Sequence, residues 1–138
     1  MRPYQLTRAV VLAVLLGCSE PGPPIFPTSV VATDVSFAPR PEAGIVAAAD
    51  SIQIVGLIGL NVPCYRFAAR AELQVDTIVV TLVATERDVM CLQYVTTYSY
   101  LITIHAVPPG RHPLQLFIER YGHPTRREFV RDTVVFLP

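Results

Sequence analysis

Lysine is missing from this sequence altogether, and so is tryptophan. Every positive charge is therefore a guanidinium, and eleven arginines meet eleven acidic residues for a formal charge of zero at pH 7. That balance lacks the basic excess of a chain that wraps a phosphate backbone, so nothing points to nucleic acid as a partner. No apolar run reaches the roughly 20 residues that a helix needs to cross a bilayer. Residues 9–16 (AVVLAVLL) stop at about half that length. There is no G-x-S-x-G elbow, no glycine-rich phosphate loop, no calcium-loop spacing of aspartates and no C-x-x-C pair. No motif for a cofactor or a metal remains, and no catalytic residue is singled out.

What the chain does have is alternation at period two, the mark of strands. Tyr65, Phe67, Ala69, Ala71 and Leu73 alternate with Arg66, Ala68, Arg70, Glu72 and Gln74, giving one apolar and one wet face. Val75-Asp76 reads as a turn into residues 77–85, where Ile78, Val80 and Leu82 oppose Thr81 and Thr85. Residues 50–58 read as a strand, residues 94–107 as the longest one, and residues 129–137 as the last. Within residues 94–107, Tyr98, Tyr100, Ile102 and Ile104 share a face. Pro108-Pro109-Gly110 reads as a turn that folds this strand back onto Leu114, Leu116 and Ile118 as a hairpin. Residues 28–37 alternate more loosely as a first strand. Residues 43–49 stay open between helix and strand, because alanine favours helix. Six or seven such strands predict an all-β fold, an antiparallel sandwich of two packed sheets in one domain over residues 28–138.

The N-terminus carries an address. Arg2 and Arg8 precede the apolar residues 9–16, which is the layout of a secretory signal. Leu15-Leu16-Gly17-Cys18 then resembles the lipobox of bacterial lipoproteins. The resemblance covers residues 1–19. It implies that a signal helix over residues 1–17 is removed and that Cys18 becomes a lipid-modified first residue, anchored in a membrane of the cell envelope. Ser19, where an aspartate would mark retention, implies the outer membrane in a Gram-negative cell. Each buried methylene of such a lipid contributes about 0.8 kcal/mol, enough over two or three chains to hold a small domain firmly. An unprocessed cysteine inside an N-terminal helix is the alternative. Residues 18–27, rich in proline and glycine, read as a tether.

With Cys18 given to the lipid, Cys64 and Cys91 are left as an even pair in an oxidising compartment. A disulfide between them closes a loop of about 27 residues and contributes roughly 3–4 kcal/mol on a chain-entropy account. A redox pair or metal ligands are the alternatives. The motif Tyr100-x-Ile102-x-Ile104, followed by Pro109-Gly110 and Leu114-x-Leu116, resembles the penultimate hairpin of immunoglobulin-like domains in bacterial surface proteins. That resemblance implies an immunoglobulin-like sandwich of about seven strands. His112 and Pro113 stand where an aromatic residue usually follows the glycine.

Charge is unevenly spread along the exported part. Residues 19–110 hold four arginines and eight acids, whereas residues 111–138 hold five arginines and three acids. Arg111, Arg120, Arg126, Arg127 and Arg131 are thus candidates for an anion- or partner-binding end, since guanidinium forks suit carboxylates and phosphates. The plainer reading is a solvated loop with local pairs Arg127–Glu128 and Arg131–Asp132. His105, His112 and His123 lie close in sequence, yet a metal needs three or four converging ligands, and surface histidines near loops are the simpler account. The functional expectation is a non-catalytic envelope lipoprotein, a binding or assembly module for a protein or an anionic glycan. An enzyme or enzyme inhibitor acting on envelope polymers is the alternative.

Overall fold

The alternating stretches become strands in the computed structural model of the protein, which describes residues 22–122 and 125–138. Cys18, the lipobox and the expected signal helix lie outside the described residues. Nine strands follow in order: β1 (Ile25–Phe26), β2 (Thr28–Asp34), β3 (Gly44–Ala47), β4 (Ile52–Leu60), β5 (Tyr65–Gln74), β6 (Thr77–Glu86), β7 (Thr96–Ile104), β8 (Gly110–Tyr121) and β9 (Arg126–Leu137). They form two sheets, ordered β1-β5-β6-β8-β9 and β2-β7-β4-β3. The sheets pack face to face through the apolar half of each alternation. One contributes Ile78, Val80 and Leu82 of β6 with Leu114, Leu116 and Ile118 of β8. The other contributes Ile52, Ile54 and Ile58 of β4 with Tyr100, Ile102 and Ile104 of β7.

Several details differ from the sequence reading. Ile25–Phe26, assigned to the tether, pairs with β5 opposite Glu72 and Ala71. Pro27 then lets the chain change sheets, because a proline has no N–H to give to a ladder. The ambiguous alanine-rich stretch holds strand β3, whose Ile45 and Ala47 pack on the core. The larger correction concerns the expected hairpin. β7 and β8 lie in different sheets, so Pro108-Pro109-Gly110 carries the chain across the sandwich and folds nothing back beside itself. Both strands have one apolar face, and facing each other across the core buries those faces as well as pairing side by side would. β8 instead pairs with β6, and in parallel, with Ile78 opposite Leu114 and Thr85 opposite Tyr121. The sheets are therefore not wholly antiparallel, and the number of strands among the described residues is nine.

The registers give the sandwich two distinct ends. At one end Gln74 meets Thr77, Ala47 meets Ile52, Thr28 meets Ile104 and Gly110 meets Leu137. The chain enters at this end: the Leu73 N–H donates to the Pro24 carbonyl at 2.9 Å, and the His105 N–H to the Pro27 carbonyl at 2.8 Å. At the other end Tyr65 meets Glu86, Leu60 meets Thr96 and Arg120 meets Arg126. The ten residues of β5 put the two ends about 30 Å apart.

Candidate functional site at the far end

Away from the N-terminal side, the two sheets part and leave an open pocket of about 400 Å³. Its walls follow from strand parity. Tyr65, Glu86 and Arg120 end the inward-facing rows of β5, β6 and β8, and Arg126 opens the row of β9. Leu60, at the end of β4, joins from the second sheet, with Asn61 and Val62 just after it. Gln93 and Gly122 complete the lining from two loops.

Arg120 ties the pocket together. Its Nη1 donates to the Gly59 carbonyl at 3.1 Å, bridging the sheets, and its Nη2 to Glu128 Oε2 at 3.1 Å. Arg126 stands directly opposite Arg120 across the β8–β9 ladder. Like charges facing each other in a strand pair are destabilising. Glu128 offsets the charge of Arg120, while no ion pair reaches Arg126 among the described residues. The Tyr65 hydroxyl is held above its usual pKa by burial first and by the Glu86 carboxylate next, with Arg120 opposing.

Beside the pocket runs the loop of residues 87–95. Cys91 within it is bonded to Cys64, with the two Cα atoms 6.1 Å apart, as the cysteine count predicts. The Arg87 N–H donates to the Cys64 carbonyl at 2.8 Å. On this short stapled segment Val89, Met90, Leu92, Tyr94 and Val95 all point substantially into solvent. Phe37, almost wholly exposed, lies in the turn whose Ser36 hydroxyl accepts the Thr97 N–H at 3.0 Å. At the opposite end the exposed apolar side chains, Ile25, Val46, Val75 and Phe136, are scattered over β1, β3, the β5–β6 turn and β9. Exposed apolar side chains on loops at one end of a rigid sandwich are a common way of presenting a recognition surface.

The five candidate arginines do not form one site. Arg120 and Arg126 meet in the pocket. Arg127 lies on the outer face of its sheet, 4.4 Å over the Phe117 ring and 3.7 Å from Glu119 Oε1. Arg70 approaches the same carboxylate at 3.2 Å, and the Tyr121 hydroxyl donates to it at 2.8 Å. Arg131 sits midway along the sandwich in a smaller hollow with Tyr100, Ala43 and Ile45. Arg111, opposite Phe136, is at the N-terminal end. The divergence follows from strand geometry: the neighbours Arg126 and Arg127 take opposite faces, and Arg131 and Arg111 lie farther along β9 and β8, while a bulge at Val130 turns Arg131 back to the inner face opposite Leu116. The expected sequence-neighbour pairs are replaced by Arg120–Glu128 and by the Arg70–Glu119–Arg127 cluster.

His112 Nε2 donates to the Pro108 carbonyl at 2.7 Å, His105 is exposed, and His123 falls outside the described residues. Among the described residues no three metal-ligating side chains converge, and no helix is long and apolar enough to cross a membrane. Tyr65, Glu86, Asn61 and Gln93 were not legible as site residues, since only strand register brings them together. No protein-family model, curated protein or solved structure matches the chain.

Proposed function

We propose that this protein is a non-catalytic binding module of the bacterial cell envelope, lipid-anchored through Cys18 and recognising a partner with the far end of its sandwich. The single observation that carries the reading is the separation of the two ends. The chain enters beside the β5–β6 turn, whereas the stapled apolar loop and the arginine pocket lie at the opposite end. A module tethered at one end and sticky at the other suits a partner held away from the membrane. The immunoglobulin-like resemblance has lost its hairpin to the sheet crossing and contributes only the general idea of a two-sheet scaffold.

The test uses the full-length protein in its native envelope. Cys18→Ala should move the protein from the membrane fraction to the soluble fraction. A photo-crosslinking residue at Met90 should trap a discrete partner, and one at Val75 should not. Crosslinking from Val75 alone would overturn the assignment of the far end, and unchanged fractionation of Cys18→Ala would remove the anchor.

A further inference from the structure

Within that reading of the far end as the recognition surface, we infer that the pocket between the parted sheets binds an acidic saccharide residue, through Arg126 and the polar groups facing it. Four observations combine. The first is electrostatic: Arg126 and Arg120 oppose each other across a ladder, and no carboxylate comes within ion-pair distance of Arg126 among the described residues. An anion beside Arg126 offsets that repulsion, and a guanidinium fork matches a carboxylate. The second is the company these arginines keep. Asn61 and Gln93 carry amides that both donate and accept, Tyr65 carries a hydroxyl, and Glu86 accepts only. Vicinal hydroxyls of a sugar can use all of these and donate to Glu86 away from the carboxylate, whereas a compact phosphate dianion bears charge on all its oxygens and has no such separate donors to offer.

The third observation is the apolar part of the lining. The half-buried Tyr65 ring offers a surface for the less polar face of a pyranose, backed by the buried Leu60 and Val62. The fourth is size. A volume of about 400 Å³ lies toward the small end of ligand pockets, which run from about 300 to 1,000 Å³. It therefore suits one residue of a polymer rather than a long segment. Arg120 acts here as a positioning residue, because its Nη atoms are already committed to Gly59 and Glu128. Arg126 is the group that favours an anion, and Glu86 opposes the ligand's charge while accepting from its hydroxyls.

The proposal is tested with the purified exported domain, residues 19–138, by titrating methyl β-D-glucuronide and methyl β-D-glucoside, a pair that differs only at C6. Inorganic phosphate is the third probe. Backbone NMR shifts at Asn61, Gln93 and Gly122 should saturate with the glucuronide, at least tenfold more tightly than with the glucoside. Arg126→Gln, which removes the repulsion with Arg120, should not lower the melting temperature and should bring the glucuronide down to the glucoside's affinity. Glu86→Gln should tighten the glucuronide. No saturable shift up to about 20 mM, which corresponds to negligible affinity, would overturn the proposal. So would equal binding of the two glycosides, or phosphate binding as tightly as the glucuronide. Loss of the Met90 crosslink with glucuronide binding intact would instead point to failure of the wider reading, so the two fail separately.

Discussion

Tyr100 is a bulky residue in a place made for it by a missing side chain. It pairs with Gly56 across β7 and β4 and lies almost fully buried. A methyl group on Gly56 would overlap the Tyr100 hydroxyl and Cζ, so the ring would have to leave its rotamer. Overpacking of this kind costs about 1–3 kcal/mol. Gly56→Ala should therefore lower the unfolding free energy measured by urea titration by that amount, whereas Gly59→Ala, where a new Cβ meets nothing, should cost far less. Equal losses at the two glycines would show that the Tyr100 ring can move aside freely. Alternation does not distinguish the two glycines; only the register reveals that Gly56 lies under an aromatic ring.

Among the elements, the loop of residues 87–95 depends most on a single bond. It presents five apolar side chains to water and makes only short-range backbone hydrogen bonds besides the Arg87 contact with Cys64. The Cys64–Cys91 bond, spanning 27 residues, is what fixes it to the rest of the far end. Replacing both cysteines by serine should cost roughly 3 kcal/mol on the chain-entropy account. It should also make residues 87–95 the first site of limited proteolysis. A double variant cleaved no faster than the parent would mean that the loop is held by packing alone. The pairing of these cysteines could be read from parity once Cys18 was set aside, and the β5–β6 hairpin from its alternation and turn. The partners of β7 and β8 could not. Alternation says which side of a strand is apolar, and it is equally satisfied whether two strands lie side by side or face each other across a core. Nor does nearness in sequence group the arginines: strand alternation turns Arg127 to the other face, and the lengths of β8 and β9 carry Arg111 and Arg131 away from the pair in the pocket.

For the molecule as a whole, pH acts through several tyrosines in the same direction. Burial raises the pKa values of Tyr65, Tyr98 and Tyr100 above the ordinary 10.0, and a hydrogen bond to Glu119 raises that of Tyr121. A folded-state value above the unfolded one gives stability that is complete below about pH 10 and is lost as pH climbs through the raised values. At the acid end Asp34, its carboxylate held by the Ser36 hydroxyl and N–H, is lowered below 3.8 and acts in the opposite sense. Its contribution is present above that value and fades as pH falls through the lowered one. The urea midpoint should accordingly decline above about pH 10 and also at strongly acid pH. An alkaline midpoint that stays flat would show that the tyrosines ionise alike in the folded and unfolded chains.

The antiparallel pairing of β2 with β7 over seven residues also decides how the molecule responds to force. The chain enters at the near end, and β2 runs from there toward the far end. A pull on the N-terminal segment, opposed by a partner gripping the far end, acts along the axis of β2. It first strips the two residues of β1, which are held at the edge of the other sheet. The load then falls on the β2–β7 ladder in shear, so that its hydrogen bonds share the strain together and do not open one after another like a zip. A pull on the C-terminus at the same end likewise draws β9 along its length against β8. Both terminal strands thus meet axial tension in the direction that a ladder resists best.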